Sequence, residues 1–98
     1  MVPLANTGRG MGTPWGAADE VLALAPGVLF AVAAEGAGFR LTGTAATAVE
    51  PHHRTSDGWY DERDEAHAVA RAFPNLFTPE EHARFDVWAP CLDVPMAA

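Results

Sequence analysis

Between Asp57 and Glu65 the chain reads DGWYDERDE, five carboxylates in nine positions with Trp59 and Tyr60 among them. Side chains of these types at this density can do two kinds of work. As a surface, Asp57, Tyr60, Asp61, Asp64 and Glu65 form the expected partner-binding set: acids that pair with a basic protein around an aromatic of the kind enriched at interface centres. As a reactive group, Glu62 stands apart, because helical phase turns it toward the core beside Trp59. A carboxylate there needs hydrogen bonds or an arginine such as Arg40; otherwise its pKa rises into the range of a general acid or base. Together with His52, His53 or His67 it would make an enzyme or metal-dependent hydrolase, which is the alternative reading. The structural reading of the same residues is plainer. Carboxylates in a first helical turn complement the helix dipole by about 0.3–1 kcal/mol each, and the rest are hydrated.

The other chemistry-bearing residues do not assemble by spacing. Zinc asks for three or four converging ligands. Glu50, His52 and His53 share one loop while His67 and His82 fall on helices, and neither a CxxC nor an HExxH spacing is present. No metal and no cofactor are expected, and the four histidines read as surface residues. Ser56 is the sole serine and Cys91 the sole cysteine. Ser56 sits among residues that read as a helix cap and Cys91 follows Pro90, so neither has a base assigned by spacing. No catalytic residue is expected, and the protein is not expected to be an enzyme. GRGMG and EGAG lack the strand and following helix of a phosphate loop and read as turns.

Charge narrows the class of partner. The 98 residues carry a formal charge of −7, their basic side chains are six arginines, and lysine, isoleucine and glutamine are absent, a bias of GC-rich coding. An acidic surface repels a phosphate backbone, so no direct nucleic-acid contact is expected and a basic protein surface is the natural partner. The longest apolar stretch, Leu22 to Ala34, is interrupted by Pro26-Gly27 and is too short to span a membrane. No charged segment followed by an apolar run opens the sequence, and a lone cysteine excludes an internal disulfide; both fit a cytoplasmic protein. Monomer and homodimer are both compatible with the sequence, since an exposed strand edge could pair between copies.

The elements that must position these residues divide into a flexible leader at 1–12, which also reads as a strap over the core, a single α+β domain at 13–90 and a tail at 91–98. Thr13-Pro14 reads as the cap of a short helical turn with Trp15 as its apolar anchor. From Val21 the text VLALAPGVLFAVAAEGAGFRLT holds three apolar runs separated by Ala25-Pro26-Gly27 and Glu35-Gly36-Ala37-Gly38, the pattern of an antiparallel meander. Val28, Phe30 and Val32 share one face and Leu29, Ala31 and Ala33 the other, with the bulkier face toward helices. A helix across Ala17 to Leu24 competes, since alanine favours helix. Residues 43–58 read as a long loop with one short strand near Ala45 to Val49.

Two helices complete the reading. The first is expected over Trp59 to Phe73, capped by Ser56 or Asp57 and stopped by Pro74, with Ala66, Val69, Ala70 and Phe73 inward and Asp61, Asp64, Glu65 and Ala68 in water. The second is announced by TPEEHARFDVW: Thr78 as cap, Pro79 at the first helical position and Glu81 closing a capping box. Its phase puts Ala83, Val87 and Trp88 on the core and Phe85 toward the edge. The expected fold class is therefore α+β, a three-stranded antiparallel β-meander with two α-helices packed on one face.

The pieces TPWGAADEVLALAPGVLFAVAAEGAGFRLT and DGWYDERDEAHAVARAFPNLF resemble DUF7007, an uncharacterised domain family of bacterial plasmid and phage proteins. The resemblance rests on Thr13 to Gly16, Ala25 to Gly27, Gly38, Gly58 to Glu62 and Ala72 to Pro74. The family's turn histidine falls at Gly36 and one of its acidic positions at Arg63, so an activity that needs that histidine is not expected here. What the resemblance implies is mobile-element biology and counter-defence, with no reaction assigned. Joined to the charge, it gives the expected function: a small acidic protein-binding module, an inhibitor of anti-CRISPR or anti-restriction type. Such a module would occlude a basic nucleic-acid-binding surface of a host defence complex.

Overall fold

The computed structural model describes residues 1, 3–8 and 10–88. Among them the strands are β1 (Ala5–Gly8), β2 (Gly12–Thr13), β3 (Gly16–Ala25), β4 (Val28–Ala33), β5 (Gly36–Leu41) and β6 (Trp59–Asp61). They form an antiparallel sheet in the order β1-β3-β4-β5-β6, with β2 paired to the start of β3. The helices are α1 (Thr44–Ala48), α2 (Ala66–Ala72) and α3 (Pro79–Trp88), with 3-10 turns at Pro51–His53 and Pro74–Leu76. The α+β class holds and the meander β3-β4-β5 lies at the centre of the sheet, which carries more strands than the three expected. No helix of the described residues is long and apolar enough to cross a membrane.

Alternation along the strands gives the sheet two apolar faces. On one, Phe30, Phe39 and Tyr60 stand side by side across β4, β5 and β6. Phe39 is fully buried and meets the edges of Phe77 and Phe85 at centroid distances of 5.6 and 6.3 Å, which is how the helical side closes. Leu24, Val28, Leu41, Val49 and Val69 complete that core. The opposite face is thinner: Ala18, Val21, Ala31 and Trp59, covered by Met11, Trp15 and Leu29. The bulkier face thus meets the helices, as the alternation of β4 predicts.

Several expectations fail for identifiable reasons. The segment expected as a flexible leader contributes β1, whose Ala5 and Asn6 pair with Ala23 and Leu22. Thr13-Pro14 opens a hairpin turn and no helix: the Thr13 hydroxyl accepts from the Trp15 amide at 3.0 Å and donates to the Gly16 carbonyl at 2.6 Å. The alanine-rich stretch from Ala17 is strand β3 because tertiary pairing on both sides outweighs alanine's helical preference. The short strand expected near Ala45 is helix α1. In α3 the phase is offset, so Phe85 is the buried anchor while Ala83 is exposed and Val87 is 80% exposed. The side chain of Trp88 and the whole of the 91–98 tail, Cys91 included, lie outside the described residues.

The largest departure is the helix expected over 59–73. Its first three residues are strand β6, in register with Gly38, Phe39 and Arg40, and the helix itself runs only from Ala66 to Ala72. Trp59 and Tyr60 are β-prone aromatics, and a strand gives each its own side of the sheet. Helical phase had put them on neighbouring positions of one cylinder. From Ala66 onward the expected stripe is buried at Ala66, Val69 and Ala70, but so are Ala68, expected in water, and His67, expected at the surface, because α2 packs against α3 as well as against β5 and β6.

Candidate functional site

Strand β6 turns the acidic stretch into a cleft wall. Gly58, at φ +79, lets the chain enter the strand, and a Cβ there would stand 3.0 Å from the Leu41 carbonyl oxygen. Three carboxylates then fix the backbone around it. Asp57 Oδ1 accepts from the Trp59 amide at 3.0 Å. Asp61 Oδ1 accepts from the amides of Arg63 and Asp64 at 2.8 and 3.2 Å, and Glu65 Oε1 accepts from the Asp61 amide at 2.9 Å. Asp57 is therefore no helix cap. Asp61 caps the turn that leads into α2, with Glu65 reaching back to it in the manner of a capping box one residue longer than usual.

Trp15 supplies the opposite wall. It arrives from the β2–β3 turn and lies over β5, where the absence of side chains at Gly36 and Gly38 makes the floor. A Cβ on Gly36 would stand 2.7 Å from Trp15 Cδ1, and one on Gly38 would stand 2.2 Å from Cη2 and 2.4 Å from the Tyr60 carbonyl oxygen. Glycine inside a strand marks this kind of close approach. The ring meets Trp59 edge-on at 5.7 Å, while the guanidinium of Arg40 covers the Trp59 ring at 5.3 Å.

Beside the two tryptophans, which touch each other, opens a cleft of 390 Å³ lined by Pro14, Trp15, Thr55, Ser56, Asp57, Trp59, Asp61 and Glu65. It has no basic residue in its lining. The Trp15 indole and the three carboxylates that share this opening attract the same charge, a cation, while the Trp59 ring already carries Arg40.

The expected site residues divide on this geometry. Asp57, Asp61 and Glu65 come together in the cleft. Asp64 is exposed on the rim of a neighbouring one. Tyr60 does not belong to the surface: it is 1% exposed, packed in the helical-side core, and its hydroxyl accepts from the Thr55 amide at 3.4 Å. An aromatic with this burial cannot meet a partner, so its place in the contact set falls to the half-buried Trp15, with Trp59, itself only 7% exposed, packed edge-on behind it. The sequence carried a signal for Trp15, a Gly-x-Gly in a strand that needed a large ring to cover it.

The groups of the alternative reading are not assembled. Glu62 lines a cleft with Met1, Phe30, Phe39, Glu81, Arg84 and Phe85. The histidines His52, His53 and His67 border a different cleft of 460 Å³ together with Arg54, Thr55, Ser56, Asp64, Glu65 and Ala68. His82 is structural, its Nε2 being 2.9 Å from the Pro74 carbonyl oxygen and its ring against Phe77. Ser56 lines both the tryptophan cleft and the histidine cleft. Near Glu62, burial alone would raise the Glu81 carboxyl. The Met1 ammonium and the amide and hydroxyl of Thr78 outweigh it and hold the group below its ordinary value.

Comparison with known proteins assigns the family. A family model described as a domain of unknown function, DUF7007, matches residues 8–90, and the chain belongs to that family. The match includes Trp15, both glycines beneath it and the whole of β6. No curated protein and no solved structure matches the chain.

Proposed function

We propose that this DUF7007 domain is a small acidic protein-binding module that captures a basic protein surface by drawing a cationic side chain of the partner into the cleft lined by Trp15, Trp59 and the three carboxylates. One observation carries the reading: Asp57, Asp61 and Glu65 share that cleft with two indoles and no basic residue. Arginine fits it better than lysine, because a planar guanidinium can stack on an indole and present paired donors to a carboxylate. A cation over a tryptophan contributes about 0.5–2 kcal/mol, and each charge-assisted hydrogen bond adds to it. The formal charge of −7 steers a basic partner toward the domain from a distance.

In this reading the partner's surface is one that otherwise holds nucleic acid, and the domain acts by covering it. An inhibitor from a phage or other mobile element, of anti-CRISPR or anti-restriction type, is the role that suits such occlusion. The resemblance and the charge support it.

The test separates charge from shape. In the D57N/D61N/E65Q variant each amide oxygen keeps its backbone hydrogen bond while the three charges leave. Calorimetric titration with an arginine-rich peptide should show affinity falling about tenfold or more, and Trp15→Ala should lower it similarly. Equal affinity of the parent chain and both variants for the peptide would remove this cleft as the contact.

A further inference from the structure

We propose that Glu50, His52 and His53 hold one divalent transition-metal ion, of the zinc class, at the 3-10 turn between α1 and β6. One ligand atom from each, a carboxylate oxygen and two imidazole nitrogens, can be chosen so that all lie within 4.8 Å of one another. Ligands that close converge on a single ion at roughly 2.0–2.2 Å with only side-chain rotation. Two imidazoles and one carboxylate suit zinc, cobalt or nickel, whereas calcium and magnesium prefer oxygen ligands alone.

The backbone beneath the ligands is already fixed. Pro51 opens the turn and the His53 amide donates to the Glu50 carbonyl at 2.8 Å. Arg54 holds it from below, its Nε and Nη2 each donating at 2.8 Å to the carbonyls of Val49 and Thr47. Binding therefore orders side chains and little else, which favours affinity. The rings of His52 and His53 lie 4.1 Å apart, and His67, 5.3 Å from His53, stands at the back of the same cleft. With three ligands from the turn, water or a partner's side chain would complete the coordination.

A competitor is visible. Nη1 of Arg71 lies 4.0 Å from Glu50 Oε1, and His53 Nδ1 lies 3.8 Å from the same oxygen. The ion must displace the arginine from that carboxylate, so Arg71→Ala should tighten binding. A mere surface ion pair between Glu50 and His53 gives the opposite expectation: removal of Arg71 would leave metal binding absent.

The experiment titrates the full chain, free of any polyhistidine tag and stripped of metal, with Co²⁺ and Zn²⁺, read by calorimetry and by the visible absorption of bound Co²⁺. One equivalent of Co²⁺ should bind and Zn²⁺ should displace it, while Ca²⁺ in excess should not. His52→Ala and His53→Ala should each weaken binding about tenfold or more, Glu50→Gln should weaken it less, and His82→Ala should leave it unchanged. Circular dichroism checks that each variant is folded. Absence of one-to-one binding, or binding that survives the H52A/H53A variant, overturns the assignment.

Discussion

Residues 57–65 and residues 78–86 look alike as text, each a turn-prone opening followed by carboxylates and an aromatic, yet they fold by different rules. At 78–81 the Thr78 hydroxyl accepts from the Glu81 amide at 3.1 Å and Glu81 Oε1 accepts from the Thr78 amide at 2.9 Å. That capping box closes within four residues, so its meaning is local. At 57–65 the deciding partners are Gly38, Phe39 and Arg40, which pair with Asp61, Tyr60 and Trp59 from far upstream. There the sheet overrides the helical period, and the carboxylates become turn caps lining a cleft. Local capping can be read from a stretch of sequence; strand pairing needs the rest of the sheet.

The comparison can be broken most severely at Tyr60. As a core residue in register with Phe39, it should cost about 3–5 kcal/mol when changed to alanine, measured by urea denaturation. A surface aromatic would cost within about 0.5 kcal/mol. Next is Gly38→Ala, where the added methyl meets the Trp15 ring and the Tyr60 carbonyl; a loss of about 1–3 kcal/mol is expected. Gly12→Ala, with nothing within 4 Å of the new carbon, should be near neutral and is the matched control.

The local region sets the middle of the scale. Thr78→Ala should cost about 1 kcal/mol by removing one half of the capping box. Glu81 adds a dependence on pH whose sign follows from its lowered pKa. Its contribution is complete above the ordinary value of 4.5 and is lost as pH falls through the lower folded value. Denaturation curves recorded from about pH 6 to pH 3 should therefore converge for the parent chain and Glu81→Gln toward the acid end. The smallest expected effect is that of D57N/D61N/E65Q on stability, within about 0.5 kcal/mol, because each backbone bond keeps an oxygen acceptor.

What the sequence made legible follows the same division. Pro26-Gly27 marked the β3–β4 turn, the alternation of Val28 to Ala33 marked the two faces of β4, and Ala66, Val69 and Ala70 marked part of the buried surface of α2, which also takes in His67 and Ala68. These signals lie within a few residues of what they specify. Strand β1 has no sustained alternation and exists because β3 offers an edge to pair with. Helix α1 is five residues of mostly alanine and threonine, packed through Ala45 under Gly27. In the candidate site, Asp57, Asp61 and Glu65 were legible as acids but not as neighbours of Trp15, which lies more than forty positions away. Tyr60 reads as an interface aromatic among acids in the sequence, while its burial depends on pairing with Phe39.

The central claim is that Trp15 and Trp59 flank a cleft in which Asp57, Asp61 and Glu65 receive a cationic side chain. Proton–nitrogen NMR of the indole N–H groups tests it most directly during titration with an arginine-rich peptide. The account predicts that the Trp15 and Trp59 signals shift together and saturably, that the His82 ring signals stay in place, and that D57N/D61N/E65Q abolishes the shifts. Indole signals of Trp15 and Trp59 that stay unmoved while the peptide binds would contradict it.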